Sequence, residues 1–208
     1  MCFSATASFV VGTVLVAMGS VAAWRCTRSV ELPYAFIPVL FGVQQWLEGT
    51  LWLTFQDPAS GCTAALTQLY SGFSQVVWPV YIPVSILLME TVPWRRKALW
   101  VVTFAGALVS LLLLYFLAHL QVESRPVGGH ISYVFPHFHT TIATGLYLLG
   151  ACISPLLSSY RSVRVFGLGV SLALVVTYVF YNTWFISVWC FLAATMSTTV
   201  LWHFRKKK

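Results

Sequence analysis

Apolar residues run along this chain in long, nearly unbroken stretches rather than in alternating or amphipathic patterns. Seven stretches are long enough to cross a bilayer as helices: Ala5–Trp24, Pro33–Phe55, Leu66–Met89, Ala98–Ala118, Phe138–Ser158, Val163–Tyr181 and Trp184–Phe204. A hydrocarbon core of about 30 Å takes about 20 helical residues per crossing. Such runs are too long for strands, and they lack the alternation of a membrane barrel. The pattern predicts an all-α integral membrane protein, a single transmembrane domain over residues 1–208 built as a bundle of seven helices. Little more than Asn182 and Thr183 separates the last two spans, which predicts a tight hairpin. The longest connection, His119 to His137, holds the turn-rich stretch Arg125-Pro126-Val127-Gly128-Gly129 and reads as a long loop.

Composition agrees. Of 208 residues, 59% are hydrophobic and 8% are charged, too few charges to cover a water-soluble surface. Mean hydropathy is +0.82. This excludes a disordered chain, a nucleic-acid-binding domain and an ordinary soluble enzyme. The net charge of +7 serves topology instead. With seven crossings, eleven of the twelve basic residues fall on one side: Arg25, Arg28, Arg95, Arg96, Lys97, Arg161, Arg164 and the tail Arg205 to Lys208. Only Arg125 falls on the other. The positive-inside rule then puts the N-terminus outside and the C-terminus in the cytoplasm. No basic residue precedes the first apolar run, which argues against a cleaved signal peptide. The expected location is the plasma (inner) membrane of a bacterium. In a eukaryote the basic tail would also read as an endoplasmic reticulum signal.

On this map the polar in-span residues gather in the outer half. Gln45, Glu48 and Trp52 share a face of span 2. Ser187, Cys190, Ala194 and Ser197 form a small, polar stripe on span 7. Glu48 and Cys190 each lie roughly 6 Å outward of mid-bilayer, so they can share a depth. Span 3 adds Gln68, Ser71 and Gln75, followed by the helix-kinking Pro79 and Pro83. Span 1 opens with Cys2, Ser4, Thr6 and Ser8, and its Ser8 and Gly12 fit small-residue helix packing. Span 4 is almost wholly Leu, Val, Ala and Phe and is expected to face lipid. An acid at the depth of Glu48 costs about 2.5–3.5 kcal/mol, so such residues face a cavity or a partner.

His119, His130, His137 and His139 cluster at the outer end, and His203 lies at the cytoplasmic end. The odd count of five cysteines does not make a disulfide framework, although Cys2 and Cys62 could pair outside. Thiolate and imidazole together suit zinc or copper, with Cys2, Cys190, His130, His137 and His139 as candidate ligands. No CxxC, HExxH or HxxxH spacing supports this. There is no nucleotide-binding loop, no GxSxG elbow and no pair of in-span histidines to ligate haem.

Met-Cys-Phe-Ser at 1–4 with Ala-Ser-Phe at 7–9, the run Pro38–Trp52, Ser154–Arg161, and Ser187–Phe191 with His203-Phe204 resemble an uncharacterised family of small multi-pass membrane proteins. The resemblance covers most of the chain. It implies a shared helical membrane fold and adds no activity. The residues themselves lead to an outward-facing polar pocket with Glu48 and Gln45 as catalytic groups and Ser4, Gln75, Ser187 and Trp189 in its wall. Its expected use is a zinc or copper site in a membrane-embedded hydrolase or other metal-dependent enzyme acting on a small or lipid-like molecule. The alternatives are a proton-coupled transporter using Glu48, and a structural or assembly partner. A homo-oligomer is open; nucleic acid is not an expected partner.

Overall fold

The structure, a computed structural model, describes residues 4–56, 61–135 and 141–205. It is mostly helical. We label the helices on the seven predicted spans α1 (Ala5–Trp24), α2 (Ile37–Thr54), α3 (Thr63–Met89), α4 (Pro93–His119), α5 (Ile142–Leu156), α6 (Arg161–Phe180) and α7 (Asn182–His203). Among the described residues, five of these, α1, α3, α4, α6 and α7, are long and apolar enough to cross a membrane. The other two differ for visible reasons. Helix α2 has 18 residues, about 27 Å of rise, and carries Gln44, Gln45 and Glu48. Helix α5 is apolar but shorter. The predicted second span is also broken: a short helix, Leu32–Ala35, precedes α2, with Pro33 and Pro38 each near a helix start, where proline is tolerated.

Helices α1 and α2 pack antiparallel along small residues. A Cβ on Gly12 would lie 2.8 Å from the Gly42 carbonyl oxygen, and a Cβ on Gly42 would lie 2.7 Å from that of Gly12. Only glycine on both sides allows that approach, the small-residue packing expected at Ser8 and Gly12. Helix α4 buries a stripe that includes Leu99, Val102, Gly106, Val109 and Leu113, and exposes Val101, Phe104, Leu108 and Leu111. The exposed side is the lipid-like face its composition predicts.

The connection expected to be a loop contains a β-hairpin. Strands β1 (Glu123–Val127) and β2 (His130–Val134) pair antiparallel, and Val127 faces His130 across the two-residue turn. Gly128 and Gly129 have φ of +58° and +79°, the positive values that a tight hairpin turn demands. Gln68 ties the hairpin to the bundle. Its Nε2 donates to the Leu117 carbonyl at 2.8 Å, and its Oε1 accepts the Val122 amide at 3.1 Å.

At the basic end a polar lock joins two connections. The Glu90 carboxylate accepts the amides of Thr91, Val92 and Ser159 at 3.0, 2.9 and 2.7 Å. Arg95 donates to the carbonyls of Leu157 and Ser158, both at 2.8 Å. Burial works against the Glu90 charge, but the amide donors outweigh it and hold the carboxyl below its ordinary value. A depressed folded value means stability that is present above the unfolded value of about 4.3 and lost as pH falls through the folded one. Glu90→Ala should therefore cost about 2–3 kcal/mol at pH 7. The gap between the melting curves of the two proteins should narrow as pH falls below the unfolded value of about 4.3.

Candidate functional site

The π-helical turns of α3 and α5 shape the centre of the bundle. They run over Gly72–Val77 and Leu149–Ile153. A π turn and a downstream proline release backbone carbonyls, which inside a membrane protein must find other donors. Tyr147 Oη donates to the Ser74 carbonyl at 2.5 Å, Ser110 Oγ to that of Val76 at 2.8 Å and Ser154 Oγ to that of Gly150 at 2.5 Å. The Pro79 carbonyl is gripped between Gly106 of α4 and Gly150 of α5, so closely that a Cβ at either position would collide with it. Helix α3 is thus gripped at Pro79 from both sides.

Against this frame, α2 and α7 place their polar residues together. Ser187 Oγ donates to Glu48 Oε1 at 2.6 Å, and both residues are fully buried. Cys190 lies one turn beyond Ser187 on α7; its thiol meets Gln44 and Tyr70 and lies within electrostatic reach of Glu48. Gln44 Oε1 accepts Trp78 Nε1 at 2.8 Å, and Trp78 stacks on Phe41 with centroids 3.8 Å apart. Glu48 and Cys190 thus belong to one polar cluster between α2 and α7. Gln45 sits about 60° round the helix from Glu48, on the stripe of Gly42 and Gly49 that meets α1. It is fully buried, and among the described residues neither its amide nitrogen nor its amide oxygen has a hydrogen-bond partner.

The other predicted residues fall in different places. Gln75 is buried in the π turn of α3. Trp189 is buried and donates through Nε1 to the Val170 carbonyl at 3.3 Å. Ser4 is exposed and caps α1, accepting the Ala7 amide at 3.2 Å. His130 stands on the hairpin, stacked on Trp184 with centroids 4.7 Å apart and edge-on to Tyr181. Burial holds its imidazole below the ordinary value, which keeps it neutral near pH 7. Cys2, His137 and His139 lie outside the described residues. Cys26, Cys62, Cys152 and Cys190 are free thiols. Among the described residues no three His, Cys, Asp or Glu side chains come together as a metal site.

Gln44, Tyr70, Trp78 and Tyr147 were not singled out from sequence. Gln44 had a signal, its spacing of four from Glu48, which puts both on one face. The aromatic residues had none, because their hydroxyls and indole nitrogen acquire meaning only through contacts between helices.

Fold and site together define a helical protein of the membrane type with an acid buried among neutral hydrogen-bonding groups. The chain belongs to DUF6629, a family of unknown function, which it matches over residues 1–208. No curated protein and no solved structure matches it.

Proposed function

We propose that this is a seven-crossing membrane protein, N-terminus outside and C-terminus in the cytoplasm of a plasma membrane, that hydrolyses a lipid-like ester with Glu48 as acid–base group. The observation that carries the reading is the 2.6 Å bond from Ser187 Oγ to Glu48 Oε1 in a fully buried setting. An acid so placed costs too much to be incidental. Ser187 is the positioning residue, fixing one carboxylate oxygen. Glu48 takes a proton from water as the water oxygen bonds to the acyl carbon. The C–O bond to the alcohol then breaks, and the proton passes to the departing alkoxide, leaving a carboxylic acid and an alcohol. Gln45 supplies an amide donor for the carbonyl oxygen as negative charge develops there. The grip of Gly106 and Gly150 on Pro79 supports a fixed site over a rocking transporter.

The test is incubation of purified protein with a total membrane lipid extract, followed by mass spectrometry of released acids. Wild type should release fatty acid, and Ser187→Ala should do so about tenfold more slowly. Absence of any released acid from folded wild type would overturn the reading. A second reading, a zinc or copper ion at this site, is favoured by the position of Cys190 beside Glu48. Its other ligands would be Cys2 and one of His137 or His139. It predicts about one equivalent of metal in freshly purified protein, lost in Cys190→Ser. Retention of metal in both Cys2→Ser and Cys190→Ser would end it. For the topology, a cysteine at Gly129 should react with an external label in intact cells. Labelling at Arg96 instead would invert the map.

A further inference from the structure

Behind the Glu48 cluster lie two spaces that share a wall. The inner one, about 20 Å³, is bounded by Cys190, Trp78 and Phe41 and has room for one water. The outer one is an open groove of about 650 Å³ between α5, α6, α7 and the hairpin. That is within the roughly 300–1,000 Å³ of small-molecule sites. Tyr147 and Trp189 line both spaces. Their ring centroids are 5.7 Å apart, and each is pinned by a hydrogen bond to a backbone carbonyl.

Three features define what the groove can hold. Its mouth includes Val175 and Tyr178, which belong to the exposed apolar face of α6 that continues through Leu172 and Val179. An occupant therefore enters sideways, from the hydrocarbon layer. The walls between are apolar, with Leu148, Leu174, Phe185 and Ile186 among them. Near the hairpin end stand Asn182, Tyr178 and Tyr133, which offer hydrogen bonds, and among the described residues that line the groove none carries a charge. A phosphate or a carboxylate head would find no counter-charge among those described residues.

The geometry points to this groove as the binding site of an uncharged amphiphile with an aliphatic chain and a hydroxyl or ester head, such as a monoacylglycerol. The chain lies along Leu148, Leu174 and Ile186, and the head lies by Tyr178 and Asn182. The wall of Tyr147 and Trp189 divides it from the chamber of Cys190. Neither Glu48 nor Ser187 lines the groove, so the binding inferred here is separate from the reaction proposed at Glu48 and does not rest on it.

The experiment uses the full chain in lipid nanodiscs with a monoacylglycerol whose chain carries a photoreactive diazirine. After irradiation, labelled residues are mapped by mass spectrometry. Label is expected on groove residues of α5, α6 and α7. Unlabelled monoacylglycerol should compete, and phosphatidic acid should not. Val175→Trp, at the mouth, should reduce labelling about tenfold by filling the space. Val179→Trp, one turn along and outside the groove, should leave it unchanged. Label spread evenly over Leu168, Leu172 and the exposed face of α4 would overturn the proposal. So would labelling of Val175→Trp at the wild-type level. Glu48→Gln separates the two readings: it should keep the label, so undiminished turnover in that variant counts against Glu48 and not against the groove.

Discussion

Glu48→Gln should fold as well as wild type, melt at an equal or higher temperature, and lose hydrolysis altogether. Gln is nearly isosteric, and its amide oxygen still accepts from Ser187, whose Oγ now sits 2.6 Å from Glu48 Oε1. What disappears is the ability to take and return a proton. Proton transfer by a positioned side chain typically contributes about 10²–10⁴-fold to a rate. Stability should not fall, because removal of a buried ionisable group also removes its desolvation cost. Glu48→Ala is a different case. It removes the acceptor that Ser187 Oγ now uses and opens a cavity in a fully buried position, so it should cost about 2–4 kcal/mol. The contrast between Gln and Ala, read together in melting curves and product release, distinguishes a working acid from a packing residue.

Gly106→Ala and Gly150→Ala should be the most damaging small substitutions in the chain. Each would drive a methyl group into the Pro79 carbonyl, which is backbone and cannot rotate aside. Overpacking of that kind costs about 3 kcal/mol or more, roughly 10 °C in Tm for a chain of this size. Among the described residues, Gly145 on the same α5 has nothing near its Cβ position. Gly145→Ala should therefore leave Tm unchanged or raise it slightly, by the better helix propensity of alanine. Equal Tm values for the three variants would contradict the account of α3 as a helix gripped at Pro79 from both sides.

The positions of the helices were legible in the sequence because apolar run length alone carries that information. Breaks inside a span were less so: the proline at 38 marks a helix start, and nothing in hydropathy separates Leu32–Ala35 from Ile37–Thr54. The hairpin was missed although Gly128-Gly129 is a strong turn signal, since its strands are short and only partly buried. In the site, Glu48, Gln45, Ser187 and Cys190 stood out as polar residues where lipid-facing ones belong. Their meeting across α2 and α7 depends on which helices touch, and spacing within one helix does not encode that. Ser4 carries a role that the polar pattern alone did not single out: it caps α1 by accepting the Ala7 amide.

The central claim is that Glu48 activates water against an ester. Its most direct test is hydrolysis of a monoacylglycerol in water enriched in ¹⁸O, with wild type and Glu48→Gln first matched for melting temperature. The account predicts that wild type releases fatty acid carrying one ¹⁸O from solvent and that the Gln variant releases none above the rate without protein. Labelled acid from the folded Gln variant at the wild-type rate would contradict it.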